Sequence, residues 1–123
     1  MSKEHLVAVI DDDDPFRAAL IELLGWTFDA RGFKSADEFV ATDRADSYHC
    51  IITDIHMPGM SGIELLRLLR SRNLHTPAIL VTAHIDPESQ LDLEAIGATC
   101  ILMKPFDSDI LTACLEKALN ETA

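Results

Sequence analysis

The stretch LVAVIDDDDPF, residues 6–16, sets five uninterrupted apolar residues directly against four carboxylates and a proline. So short an apolar run, with no polar alternation, fits a strand buried on both faces, the kind found inside a parallel sheet. It stops at Asp11 because successive carboxylates cannot continue a dry strand. Asp14 is placed to cap a helix that Pro15 opens, since the N–H that proline lacks is not needed in a first turn. Phe16, Ala19, Leu20, Leu23 and Leu24 then recur at helical spacing up to Gly25.

Beyond this stretch, short apolar runs keep alternating with longer amphipathic stretches, the mark of βα units on a parallel sheet. A second, weaker strand is read near Thr27 to Arg31. The Ser35/Glu38 capping box then opens a short helix to near Thr42, and Asp43 to Tyr48 read as a polar surface loop. Cys50 to Thr53 form a third strand ending at Asp54, followed by a tight loop over Pro58 to Gly62. Ser61 and Glu64 repeat the capping box. Their helix turns Ile63, Leu65, Leu66, Leu68 and Leu69 inward and Arg67, Arg70 and Arg72 toward water. Pro77 precedes a fourth strand, Ala78 to Val81, ending at Thr82, and Asp86 and Pro87 start a helix that runs to Gly97. The fifth strand, Cys100 to Met103, ends at Lys104-Pro105, and a last helix runs from near Asp107 to Leu119. The expected fold class is α/β, with five βα units in a single domain over residues 1–123.

Composition narrows the function classes. A chain of 123 residues with 48% hydrophobic content can bury a core without disulfides. With 21 acidic against 10 basic residues the net charge is −11, which disfavours direct nucleic-acid binding and acidic membranes. Met1 to His5 and the short apolar run behind them form neither a secretory signal nor a membrane span, so a cytoplasmic protein is expected. Cys50, Cys100 and Cys114 lack Cys-x-x-Cys spacing and read as reduced, buried thiols. His5, His49 and His75 read as surface or edge residues, and Trp26 and Met57 as packing groups.

In an open parallel sheet, ligands bind beyond the carboxyl ends of the strands, where the strand order reverses. Asp11, Asp12, Asp54, Thr82 and Lys104 all close strands, so they gather at one edge. Two carboxylates about 4 Å apart repel by about 4 kcal/mol at an effective dielectric of about 20. A cation relieves this, and an all-oxygen set with open positions suits Mg²⁺, with Mn²⁺ as a substitute. One carboxylate can then attack a phosphoryl group, while an ammonium such as Lys104 and a hydroxyl such as Thr82 hold its oxygens.

These residues fall into a pattern that resembles the receiver domain of two-component response regulators over essentially the whole chain. The resemblance rests on Asp11-Asp12 after an apolar strand, on the segment Asp54 to Gly62 (DIHMPGMSG), on Thr82-Ala83, on Gly97-Ala98 and on Lys104-Pro105-Phe106. It implies a flavodoxin-like, doubly wound (βα)5 three-layer sandwich with strand order 2-1-3-4-5. It implies Asp54 as phosphoacceptor, Asp12 as a direct Mg²⁺ ligand, Asp11 acting largely through metal-bound water, and the His56 backbone carbonyl as the remaining protein ligand. Thr82 and Lys104 would hold phosphoryl oxygens, and the Lys104-Pro105 peptide is expected to be cis. The implied donor is a phosphohistidine on a sensor kinase or phosphotransfer protein. The implied role is a regulatory switch, catalysing only its own phosphorylation and dephosphorylation, with a downstream protein target and a phosphorylation-dependent homodimer as possible outputs. The chain would be either stand-alone or part of a longer regulator of the kind that carries a DNA-binding domain.

Two positions depart from the pattern or extend it. Ile101 stands where the family usually carries Tyr or Phe, so a smaller rearrangement is expected around the fourth helix and fifth strand. His56 and His84 flank the expected phosphoryl position and could tune the lifetime of an aspartyl phosphate, also with pH, because an ordinary imidazole titrates at about 6.5. Two other readings compete: a haloacid-dehalogenase-like phosphatase with Asp11 as nucleophile, and a receiver-like interaction module that is never phosphorylated. Pro15 and the short chain speak against the first, and the intact set of strand-end residues against the second.

Overall fold

Along β1 (Leu6–Ile10), Val7 and Val9 face one side of the sheet and Ala8 and Ile10 the other, and all four are buried. The two-residue period of extended chain thus loads both faces with apolar side chains. The computed structural model describes residues 5–42, 45–84 and 92–121. After β1 come α1 (Asp14–Leu24), β2 (Asp29–Phe33), α2 (Ala36–Val40), a 3-10 turn (Ala45–Ser47), β3 (Cys50–Asp54) and α3 (Gly62–Ser71). Then follow β4 (Ala78–Thr82), a helical segment α4 at residues 92–95, β5 (Ala98–Met103) and α5 (Ser108–Glu121). The five strands are parallel, in the order β2-β1-β3-β4-β5 that the resemblance implied.

Helices cover both faces. Val7, Val9, Ile52, Ile79 and Val81 pack with Leu20 and Leu24 of α1 and Leu111 and Leu115 of α5. On the other face, Ala8, Ile10 and Ile51 meet Phe39 of α2 and Leu65 and Leu69 of α3, and Ala78 and Leu80 meet Leu66 and Leu93. No described helix is long and apolar enough to cross a membrane.

Several expectations need correction. Asp13, not Asp14, caps α1: it is extended (φ −81, ψ 101) and accepts from the Phe16 N–H. Asp14 enters the first turn and pairs with Arg17 at 2.6 Å. Strand β2 starts two residues later than Thr27, because the N–H groups of Thr27 and Phe28 both donate to the Leu24 carbonyl and finish the helix. Tyr48 is buried against Phe33 and Phe39 and does not belong to a surface loop. Trp26 is 86% exposed and Leu23 47% exposed, so neither packs in the core, and Ala19 is exposed as well. The expected helix start at Asp86 and Pro87 lies outside the described residues. The cysteines form no disulfide, with Cys50 and Cys114 buried and Cys100 half-buried. Burial first, and then the neighbouring Cys100, pushes the Cys114 thiol up to about 12, which keeps it protonated at neutral pH.

Arg70 does not reach for water either. Its guanidinium donates to the carbonyls of Leu74 (2.9 Å), Gly97 (3.2 Å) and Ile96 (3.3 Å), so it ties α3 to the turn before β5. Gly97 sits there at φ +92, a conformation that a side chain would strain. Arg70→Ala strips three carbonyls of a charged donor, and we expect it to lower the unfolding free energy in urea by about 1–3 kcal/mol. Arg70→Lys should recover only part of the loss, because an ammonium lacks the guanidinium fork.

Candidate functional site

Each candidate side chain is set by the end of a strand. Asp11 follows β1, and its N–H still donates to the Phe33 carbonyl at 3.1 Å. Asp54 is the last residue of β3 and Thr82 the last of β4. Lys104 follows β5, its N–H donating to the Thr82 carbonyl at 2.7 Å, and its peptide bond to Pro105 is cis, as expected. Strands β1 and β3 are neighbours, and the strand order reverses between them. Their ends therefore meet at the crevice where this class of sheet binds ligands.

Carboxylate oxygens of Asp11, Asp12 and Asp54 lie within 4.8 Å of one another. The Lys104 ammonium bridges two of the three, donating to Asp11 Oδ2 at 3.0 Å and to Asp54 Oδ2 at 3.2 Å. The remaining oxygens are held alike: Asp11 Oδ1 accepts from the Asp13 N–H at 2.9 Å, and Asp54 Oδ1 from the His56 N–H at 3.1 Å. In each case a carboxylate bonds the backbone two residues on, a local turn that short acidic side chains favour. Asp11 is 2% exposed, whereas Asp12 is exposed at the mouth of the site.

Burial raises the Asp11 pKa, and the Asp54 charge adds to it. The Asp13 N–H and Lys104 pull it back without cancelling the rise. For Lys104, burial works to lower the pKa, but the hydrogen bonds and charges of Asp11 and Asp54 outweigh it and the net shift is upward. The donor set is carboxylate only, with an exposed member, and such a set fits a hard divalent cation.

The loop after β3 is fixed by the expected capping box, in which Ser61 Oγ accepts from the Glu64 N–H and Glu64 Oε1 from the Ser61 N–H, both at 3.1 Å. Gly62 passes so close to β3 that a Cβ there would overlap the Asp54 carbonyl. Thr82 is brought to the edge but not onto the carboxylates. Its buried hydroxyl donates to the His84 carbonyl at 2.9 Å and accepts from the His84 N–H at 3.3 Å. His56 and His84 are both exposed. Ile101 is half-buried against the cluster formed by Ile55, Leu66, Leu80 and Leu93.

Two further residues, Arg17 and Phe16, belong to the site. Arg17 donates to the Asp11 carbonyl at 2.7 Å, fixing the end of β1. Phe16 packs against the core as its helical spacing predicts, and its ring centroid also lies 4.1 Å from the Lys104 ammonium. The available signal was position: both lie in the first turn of a helix that leaves the acidic corner.

Comparison with known proteins agrees with this fold. The sequence profile of the response regulator receiver domain matches residues 7–116. The transcriptional regulatory protein FixJ of Bradyrhizobium diazoefficiens is 32% identical over 126 residues, covering 98% of this chain and 60% of that protein. The DNA-binding transcriptional regulator NtrC of Salmonella typhimurium is 34% identical, covering 94% of this chain and 25% of that protein. The crystal structure of FixJ-N superposes with a TM-score of 0.85 at 30% identity, over 97% of this chain and 96% of that one. The Francisella response regulator 1452 receiver domain gives 0.89 at 26% identity, over 98% and 100%. The chain belongs to the response regulator receiver domain family, a family of regulatory proteins in two-component signalling. It spans only part of these curated relatives, 60% of FixJ and 25% of NtrC.

Without added metal, Lys104→Met leaves the buried Asp11 carboxylate without its ammonium. A carboxyl whose folded pKa is raised is tolerated best when protonated, so its contribution to stability falls as pH rises above the ordinary value of 3.8. Lys104, with its own pKa above 10.5, offsets this throughout the neutral range. Urea unfolding should therefore show a deficit of about 1–3 kcal/mol for the variant near neutrality, closing as pH falls toward 3.8.

Proposed function

We propose that residues 1–123 act as one phosphorylatable switch in a two-component phosphorelay, with Asp54 as phosphoacceptor. The observation that carries this is the packing of Asp11, Asp12 and Asp54 within 4.8 Å, bridged by Lys104, at the β1/β3 crevice. Asp11, Asp12, Asp54 and the His56 backbone carbonyl would hold Mg²⁺, or Mn²⁺ in its place. When bound, the ion supplies positive charge that neutralises the carboxylates and the oxygens of the transferring phosphoryl group.

Within that setting an Asp54 carboxylate oxygen attacks phosphorus, the bond from phosphorus to the donor's imidazole nitrogen breaks, and an aspartyl phosphate forms. The donor is a phosphohistidine on a sensor kinase or phosphotransfer protein. Lys104 already donates to Asp54 Oδ2, so its ammonium needs only a small shift to meet a phosphoryl oxygen. Thr82 must give up its bond to the His84 carbonyl to do the same, which loosens the loop after β4. With Ile101 already half-buried, the response of α4 and β5 involves no inward swing of a ring. The face of α4, β5 and α5 then meets a protein partner or a second copy of the chain. A net charge of −11 leaves any DNA contact to another segment or protein, and the setting is cytoplasmic.

Acetyl phosphate with Mg²⁺ should label the protein once, on Asp54, as read by mass spectrometry, and Asp54→Asn or excess chelator should abolish the label. Uptake by Asp54→Asn, or by the wild type in chelator, overturns the reading, and many turnovers per chain would point to a phosphatase instead. His56 and His84 stand exposed on the path of an attacking water, so His56→Ala/His84→Ala should change the half-life of the aspartyl phosphate. An unchanged half-life removes both from that role.

A further inference from the structure

Lys104 has a third neighbour besides its two carboxylates. Its ammonium lies 4.1 Å from the centroid of the Phe16 ring, within the range where a ring's negative face attracts a cation. The ring is itself held in place. Phe16 is in the first turn of α1, its N–H donating to Asp13 Oδ1 at 3.1 Å, and Phe106 packs edge-on against it at 6.0 Å and 86°. With only 21% of its side chain exposed, Lys104 is partly desolvated, which strengthens such a contact.

We propose that Phe16 is a positioning residue for Lys104, its ring face holding the ammonium across Asp11 and Asp54 and so setting how readily a divalent cation displaces it. The inference rests on the reading of the acidic cluster as a metal site. A cation held by Asp11, Asp12 and Asp54 would compete with Lys104 for the Asp11 and Asp54 carboxylates that the ammonium now bridges. The ammonium must leave its bridging position, and the ring contact weakens with it. The attraction to Phe16 therefore stands on the metal-free side of the balance. An aliphatic side chain at this position fills similar space but has no quadrupole, and leaves the lysine easier to displace.

Calorimetry with MgCl2 on the whole chain tests this. Phe16→Leu should bind Mg²⁺ two- to fivefold more tightly than wild type, a shift of about 0.5–1 kcal/mol for a cation–π contact of this kind. Phe16→Met, also ring-free but longer, serves the same comparison should Phe16→Leu loosen α1, and Phe16→Tyr should match wild type. In a Lys104→Met background the effect of Phe16→Leu should vanish, since the competitor is gone. Nuclear magnetic resonance gives an independent readout. The ε-methylene protons of Lys104 should carry a ring-current shift that Phe16→Tyr keeps, Phe16→Leu removes and Mg²⁺ reduces in the wild type. General damage to the site would weaken Mg²⁺ binding instead. Unchanged or weaker binding by both ring-free variants overturns the role of Phe16, as does an effect that persists without Lys104. Failure of the wild type to bind Mg²⁺ at all overturns the metal-site reading and this inference with it.

Discussion

One ammonium set between a buried carboxylate, Asp11, and a half-buried one, Asp54, is the interaction on which the carboxyl edge of the sheet depends. Within 4.8 Å of one another, each pair of like charges among Asp11, Asp12 and Asp54 repels by about 3.5 kcal/mol or more at an effective dielectric of about 20. Lys104 offsets part of this while its ammonium lies over the Phe16 ring, and one backbone N–H fixes the second oxygen of Asp11 and another that of Asp54. The site is thus preorganised by groups of its own chain. Only Asp12, at its mouth, keeps an exposed carboxylate.

The scaffold makes that arrangement rigid. Asp54 ends a strand with neighbours on both sides, and the Gly62 backbone lies directly against its carbonyl. On the neighbouring strand the hold is lighter. Among the described residues the Thr82 hydroxyl is engaged by the backbone of His84, through two hydrogen bonds, and short local bonds of this kind exchange more easily than a packed core. Farther along, Arg70 ties the turn before β5 to α3 through three carbonyls. A firm acidic pocket beside a lightly held hydroxyl, with a clamped turn behind both, is a layout in which a small charge event can move one loop and leave the sheet in place.

Much of this was legible in the residues. Four strand positions, the Ser61/Glu64 capping box, the end of α1 at Gly25 and the acidic corner are local features, decided by period, caps and turn chemistry. The misreadings share another cause. Asp13 competes with Asp14 for one cap, and the choice depends on where the chain leaves β1. Arg70 looks like a solvated cation until the turn at Ile96 and Gly97 is folded against it. Tyr48 reads as polar loop until Phe33 and Phe39 arrive from β2 and α2, and Trp26 reads as core because size alone does not say which side of a helix end faces solvent.

The βα alternation and the residues that end β1, β3, β4 and β5, and so the carboxylates, hydroxyl and ammonium that gather at one edge, were legible in the sequence, because those properties are set by neighbours within a few positions along the chain. Which of them touch is settled by the folded chain. It places Lys104 on Asp11 and Asp54, turns Thr82 toward His84, and sets Phe16 against the ammonium. Contacts between residues as far apart as Asp11 and Lys104 depend on the order of strands in the sheet and on packing across it, and no local pattern encodes either.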